Sequence, residues 1–107
     1  MLEREIERYL YKQITEIGGL CLKIQSPTTR GMPDRLVIRY GSQIFVETKS
    51  TTGKTRLYQR YIHDKLREHG VLVYIVNSRK DVDAICSILL SQNIRYKLSD
   101  LHSTTDT

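Results

Sequence analysis

Two carboxylates and a lysine interrupt segments that are otherwise apolar. Asp34 stands directly before the run "RLVIRY", and Glu47 and Lys49 close the run "QIFVETK". A charged side chain is costly to bury unless it is paired or binds a metal ion. Two carboxylates with water ligands suit Mg²⁺ or Mn²⁺, which in such sites often bind phosphate oxygens as well. Lys49 beside such an ion could orient or deprotonate a water molecule and offset charge on phosphorus.

A predicted β-hairpin brings these charges together. The dipeptide "GS" at 41–42 suits a two-residue turn, and in that register Asp34 lies opposite Lys49. Side chains alternate between faces, so Glu47 shares the face of Lys49, at a diagonal of about 7–8 Å from Asp34. One cation could therefore bridge both carboxylates. A bulge or a longer loop would reverse the face that these side chains occupy.

A simpler interpretation of the same residues stays open from spacing alone. Asp34 could cap the turn after Pro33. Glu47 and Lys49 could then be ordinary residues on the solvent face of an edge strand.

The first half of the chain predicts one helix and a short strand before the hairpin. Apolar residues recur at helical spacing over 2–17, and the glycines at 18–19 end that helix. The segment 20–24 reads as a strand. The segment 25–33 is rich in Ser, Thr, Pro and Gly, which predicts a loop.

The second half predicts a helix, a strand and a last helix. Thr55 is the predicted N-cap of a helix over 56–70, and Gly70 is its left-handed stop. The continuous apolar run 71–76 is typical of a central strand that is buried on both faces. A partial capping box at 78–81 opens the last helix. Its apolar positions are Val82, Ile85, Cys86, Leu89 and Leu90.

The order α-β-β-β-α-β-α predicts the α/β class, with a central mixed sheet flanked by helices. A chain of 107 residues forms one modest core. We assign residues 1–98 to the domain and 99–107 to a polar tail.

Composition favours a soluble basic domain. Seventeen Lys and Arg against 12 Asp and Glu give a formal charge of +5, and the isoelectric point is near 9.4. This balance suits a polyanionic partner such as nucleic acid. No run approaches the roughly 18 apolar residues of a membrane span. No secretory signal is visible, so a location in the cytoplasm or the nucleus is expected.

Cys21 and Cys86 lie in separate apolar segments, which favours buried reduced thiols over a disulfide or a zinc site. The three histidines show no metal-binding spacing with one another.

Several motifs together resemble a known superfamily. They are Gly31-x-Pro33-Asp34, Glu47-x-Lys49 and Gln59. The set is similar to that of the PD-(D/E)xK nucleases. Within that superfamily, "GGLCLKIQSPTTRGMPDRLVI" followed by "FVETKS" closely resembles the virus-type replication-repair nuclease (VRR-NUC) domain, over residues 3 to about 83.

The resemblance implies a restriction-endonuclease-like α-β-β-β-α-β core and a metal-dependent deoxyribonuclease. Asp34 and Glu47 would be metal ligands, with the Thr48 backbone carbonyl as a third. Lys49 would be the catalytic lysine. Gln59 would hydrogen-bond the active-site water or a phosphate.

The family also carries a glutamate on the first helix. Glu7 matches that position best and would be a further metal ligand by this resemblance, and Glu3, one turn earlier on the same face, is the alternative. The sequence departs from the pattern in lacking the proline that often follows the lysine.

Polar and basic residues beside the two loops are candidate phosphate contacts. They are Lys23, Ser26, Arg30, Lys54 and Arg56. The stand-alone relatives that the chain resembles imply a homodimer acting on branched DNA such as Holliday junctions. Tyr58, Tyr61 and Ile62, or the last helix, could form the contact between copies.

The sequence alone leaves open two other classes of function. A non-catalytic basic module would bind nucleic acid without cutting it. A protein-interaction domain would do neither.

Overall fold

The computed structural model describes residues 1–92. The elements are α1 (Glu3–Glu16), β1 (Leu20–Lys23), β2 (Arg35–Arg39), β3 (Ser42–Thr48), α2 (Leu57–Glu68), β4 (Leu72–Val76) and α3 (Arg79–Gln92). Their order is the predicted one. The predicted tail at 99–107 and the end of the predicted domain at 93–98 lie outside the described residues.

The strands form one mixed sheet in the order β1-β2-β3-β4. β1 with β2 and β2 with β3 are antiparallel, whereas β3 and β4 are parallel. Parallel neighbours need a crossover connection, and α2 supplies it. The predicted α/β class is therefore confirmed. None of the helices within residues 1–92 is long and apolar enough to cross a membrane.

The core lies between one face of the sheet and the helices α1 and α3. On α1, Ile6, Leu10 and Ile14 recur every four residues and are fully buried. Full burial of such a side chain contributes roughly 1.5–3 kcal/mol. The other members of this cluster are Cys21, Val37, Ile44, Val46, Val76, Val82, Ile85, Cys86 and Leu89. Both cysteines are free and buried, as predicted.

The hairpin turn lies one residue earlier than the sequence predicts. Arg39 pairs with Ser42, so the turn residues are Tyr40 and Gly41. Their φ angles are 38° and 88°. Positive φ at both central residues is the type I′ geometry, whose twist matches that of the flanking strands.

This turn corrects the predicted register. The β2–β3 ladder, continued outward, sets Asp34 opposite Glu47, not opposite Lys49. The pairing changes by two residues, so the side chains keep their predicted face.

The prediction of β4 as a central strand buried on both faces is wrong. Among the described strands β4 pairs with β3 alone. Leu72 and Ile75 are 43% and 38% exposed. A continuous apolar run does not by itself show that both faces of a strand are covered. One face of β4 packs on the core, and the other is covered only in part, by α2.

The predicted Thr55 N-cap is also wrong, since Arg56 precedes the first helical residue of α2. The Arg56 N–H donates to the Gln59 Oε1 at 3.0 Å. The start of α2 is thereby tied to a candidate site residue. Gly70, with φ 82°, follows the end of α2 as predicted.

Candidate active site

Asp34 is held where the β2–β3 ladder ends. Its Oδ1 accepts the Thr48 N–H at 2.9 Å, and its Oδ2 accepts the Thr48 hydroxyl at 2.6 Å. The Thr48 side chain is fully buried in a regular strand. These two bonds fix the direction of the carboxylate. Sequence reasoning used only the Thr48 carbonyl and missed its hydroxyl, because strand alternation predicts that this side chain points away from Glu47.

The loop before Asp34 packs closely against the start of α2. A Cβ atom at Gly31 would lie 2.7 Å from the Tyr58 carbonyl oxygen, and the φ of Gly31 is 99°. The Arg30 guanidinium lies 4.1 Å from the centre of the Tyr58 ring. The glycine of the Gly-x-Pro-Asp motif therefore allows the loop that leads into Asp34 to pack against α2.

Gln59 links the other two candidate side chains. Its Oε1 accepts a hydrogen bond from the Lys49 Nζ at 2.9 Å, and its Nε2 donates to the Glu47 Oε2 at 3.3 Å. Lys49 Nζ also lies 3.3 Å from that Glu47 oxygen. The three residues predicted to share a site are therefore in contact, and the Gln59 amide orients the acid and the lysine.

The charge on Glu47 is unfavourable where it lies. Burial, and then repulsion from Asp34, raise its pKa to about 7, although Lys49 acts in the opposite direction. A cation between the two carboxylates would offset both effects. The donor set therefore fits a hard divalent ion such as Mg²⁺ or Mn²⁺.

Few protein ligands are available for such an ion. Within residues 1–92, no three His, Cys, Asp or Glu side chains form a cluster that could hold a metal. The remaining ligands would be backbone carbonyl, water or phosphate oxygens, which is how Mg²⁺ is commonly bound.

The two glutamates of α1 have different surroundings. The Glu7 Oε1 accepts hydrogen bonds from Arg35 Nη2 at 2.7 Å and Nε at 3.1 Å, and Lys23 Nζ lies 3.7 Å away. Glu3 is among the charges that raise the pKa of Glu47, after burial and Asp34. Glu7 is therefore engaged by cations, whereas Glu3 is exposed and acts on Glu47 only through its charge.

The predicted phosphate contacts lie on or beside the loops that precede β2 and follow β3. Ser26 Oγ accepts the Thr29 N–H at 3.3 Å within the loop. Lys54 and Arg56 are exposed between β3 and α2. Lys23, at the end of β1, is exposed despite its contact with Glu7.

His63, which sequence reasoning set aside for lack of metal-binding spacing, is buried on the same helix as Gln59. It lies on α2 four residues after Gln59 and is 1% exposed. The i, i+4 spacing from Gln59 is the signal that could have found it.

Comparisons with known proteins agree with this geometry. A scan against models of protein families finds no match. A protein described as "Putative nuclease p44", from Acyrthosiphon pisum secondary endosymbiont phage 1, is 40% identical over 78 residues, which are 72% of this chain and 84% of that protein. A solved structure described as "VRR_NUC domain" is 31% identical, with a TM-score of 0.73, and the match covers 79% of this chain and 94% of that structure.

The mixed sheet and the Asp34, Glu47 and Lys49 group define a nuclease of the PD-(D/E)xK class. Within that class, the chain belongs to the VRR-NUC family. The resemblance that the sequence motifs predict is confirmed.

Proposed function

We propose that the protein is a divalent-metal-dependent endonuclease that hydrolyses phosphodiester bonds in DNA. The observation that supports this best is the pair of carboxylates at adjacent strand ends, Asp34 and Glu47, beside a lysine that Gln59 holds. The basic charge balance of the chain suits a nucleic-acid substrate. Such an enzyme would act inside the cell, where DNA is found.

The side chains take separate roles in this proposal. Asp34 and Glu47, with the Thr48 carbonyl, would hold Mg²⁺ or Mn²⁺. When bound, the ion would supply Lewis acidity toward a phosphate oxygen. The Lys49 ammonium positions the attacking water and offsets the negative charge that develops on the phosphate. Gln59 keeps the Lys49 ammonium in place through a 2.9 Å hydrogen bond.

The acidic residue that α1 contributes is Glu3 in this proposal. Its charge acts on Glu47, whereas the Glu7 carboxylate is paired with Arg35 at 2.7 Å. A metal ligand already bound by a guanidinium would first have to lose that partner.

The proposed substrate is branched DNA, such as a four-way junction, and the proposed assembly is a two-fold homodimer. Residues 1–92 contain one such site, and two opposed cuts need two sites. An apolar sheet face supports a contact between copies. This apolar sheet face consists of Leu20, Leu22, Leu36, Ile38 and Phe45, and Leu20 and Leu22 are 56% and 43% exposed.

Cleavage assays test the catalytic part of the proposal. We expect purified protein to cut DNA with Mn²⁺ and to stop when a chelator is added. Asp34→Asn and Lys49→Met should each slow cleavage by about 100-fold or more, because each removes a group that acts on the charged transition state. Circular dichroism should show an unchanged fold.

Lys12→Gln is the matched control, since Lys12 is an exposed cation on α1 outside the site. Wild-type cleavage by Asp34→Asn would contradict the assignment. DNA binding that falls with salt, without cleavage under any metal ion, would favour a non-catalytic binding module instead.

A further inference from the structure

A cleft of about 530 Å³ lies between α2, the loop after β3, and β4. Its lining includes three cations, Lys54, Arg60 and Arg67, together with His63 and Ile75. Of these, sequence reasoning assigned a role only to Lys54.

The cleft adjoins the candidate active site. Ile75 is the partner of Glu47 in the β3–β4 ladder, and paired residues on neighbouring strands lie about 4.8 Å apart and share a face. On α2, Arg60 directly follows Gln59, and His63 lies one turn further on. A group bound in the cleft would therefore lie one strand away from the carboxylate pair.

The charge of the lining suits an anion. Three cations and one carboxylate, Asp64, leave a net charge of +2 with a neutral histidine. Arg67 is held in place because it donates to Asp64 at 3.2 Å and to the Val73 carbonyl at 2.9 Å. Lys54 and Arg60 are exposed at the cleft, and within residues 1–92 no salt bridge engages either of them.

His63 gives an independent indication of a ligand. Its side chain is buried, and neither ring nitrogen has a hydrogen-bond partner within the described residues. Buried polar groups without partners are uncommon and destabilising, so each one needs an explanation. Burial, and then the charges of Arg67 and Lys49, lower the pKa of His63. The ring is therefore neutral near pH 7, with one N–H donor and one acceptor.

We propose that this cleft binds a second phosphodiester group of the bound DNA, next to the one at the carboxylate pair. The inference rests on the proposed function only in taking DNA as the ligand. Lys54 and Arg60 contact the phosphate oxygens, and a small movement of the His63 ring lets its N–H donate to one of them. Two phosphates held side by side fix which bond of the strand is presented for cleavage.

Salt-dependent DNA binding tests the cleft without requiring catalysis. Binding of a labelled duplex to the full chain is measured in chelator over a range of salt concentrations. The slope of log K against log salt is negative, and each lost phosphate contact reduces its magnitude by about 0.9. We expect Arg60→Gln to reduce that magnitude by about the same amount and to weaken binding by about tenfold. Lys12→Gln removes the same charge from the opposite side of the sheet and should leave the slope unchanged.

A second variant separates a ligand role of His63 from a structural one. His63→Leu removes the unpartnered nitrogens, so the midpoint of thermal unfolding should stay the same or rise. DNA binding should nevertheless weaken. Wild-type binding by His63→Leu would remove His63 from the proposal, and an unchanged slope for Arg60→Gln would overturn the cleft as a phosphate site.

The outcomes for the cleft and for the proposed function can be told apart. If wild-type protein cuts DNA and Arg60→Gln has the wild-type slope, the cleft proposal fails and the nuclease proposal stands. If wild-type protein does not cut DNA with any divalent ion, the nuclease proposal fails, and the slopes still decide whether the cleft binds a phosphate.

Discussion

At the scale of single residues, the two glutamates of α1 differ in the side chains that surround them. Glu3 and Glu7 lie on the same face of one helix, one turn apart. Glu7 meets Arg35, and both side chains are largely buried, with 22% and 14% exposed. Glu3 is exposed and acts electrostatically on Glu47. The same residue type is therefore part of a largely buried ion pair at one position and exposed at the other.

We predict that substitution of these glutamates separates activity from stability. Glu3→Gln should lower the cleavage rate about 10- to 100-fold, as expected for an outer group of a metal site. Glu7→Gln should lower the free energy of unfolding by about 1–2 kcal/mol, because it weakens charged hydrogen bonds to Arg35. Cleavage rates and urea unfolding measure the two effects.

Glu5→Gln is the control for Glu3→Gln, because it also removes a carboxylate from the first turn of α1. It should cut at the wild-type rate. A larger loss of cleavage in Glu7→Gln than in Glu3→Gln, at temperatures where both are folded, would assign the site role to Glu7.

At the scale of elements, the loop between β1 and β2 and the start of α2 form one unit. Gly31 packs on the Tyr58–Gln59 backbone, and the Arg56 N–H bonds to Gln59. Gln59 in turn holds Lys49 and Glu47. The loop that leads into Asp34 and the amide that holds Lys49 therefore depend on the same loop-to-helix contact.

Gly31→Ala should disturb this contact and the site together. An alanine at position 31 would be destabilising for two reasons. The φ angle there is left-handed, and the added Cβ atom would lie 2.7 Å from a backbone oxygen. Gly70 has a similar φ of 82° with no atom within 4 Å of a built Cβ. Gly70→Ala thus measures the backbone cost alone, about 1 kcal/mol.

We expect Gly31→Ala to lower the free energy of unfolding by about 1–3 kcal/mol more than Gly70→Ala does. Cleavage should fall in Gly31→Ala only. Equal unfolding energies for the two variants would show that the loop moves away from α2 without cost.

At the scale of the whole molecule, the two faces of the sheet are covered unequally. The helices α1 and α3 bury one face with the core cluster. On the other face, α2 lies over β3 and β4, and the apolar sheet face near β1 keeps exposed leucines. Exposed apolar surface of this kind marks interaction sites.

We predict a homodimer in solution that pairs through the apolar sheet face. Light scattering at micromolar concentration should give twice the chain mass, and Leu22→Glu should give the monomer mass, because a buried unpaired charge is costly. Leu90→Glu, on α3 and 48% exposed in the wild type, is the matched control and should remain a dimer.

The opposite pattern, a monomeric Leu90→Glu and a dimeric Leu22→Glu, would place the contact on the last helix. A monomeric wild type would contradict the dimer. Equal cutting of a four-way junction and a plain duplex would contradict the preference for branched DNA.

The sequence by itself determined the features that depend on neighbours along the chain. The helical spacing of Ile6, Leu10 and Ile14 defined α1 and its buried face, and Gly70 marked the end of α2. The element order followed from such local periodicities. The chemical types of Asp34, Glu47 and Lys49 predicted a site for a divalent metal ion and a phosphate, and metal binding there stays a prediction.

Only the tertiary structure decided the features that depend on residues far apart in sequence. The turn at 40–41 sets the β2–β3 register. The position of a glycine does not locate this turn by itself, because the twist of the flanking strands also selects the turn type. The Thr48 hydroxyl reaches Asp34 because the strand ladder ends there. The partners of Glu7 and the lack of partners for His63 depend on how α1 and α2 lie on the sheet. Hydrogen bonding and burial are properties of packed elements, so periodicity along one chain cannot specify them.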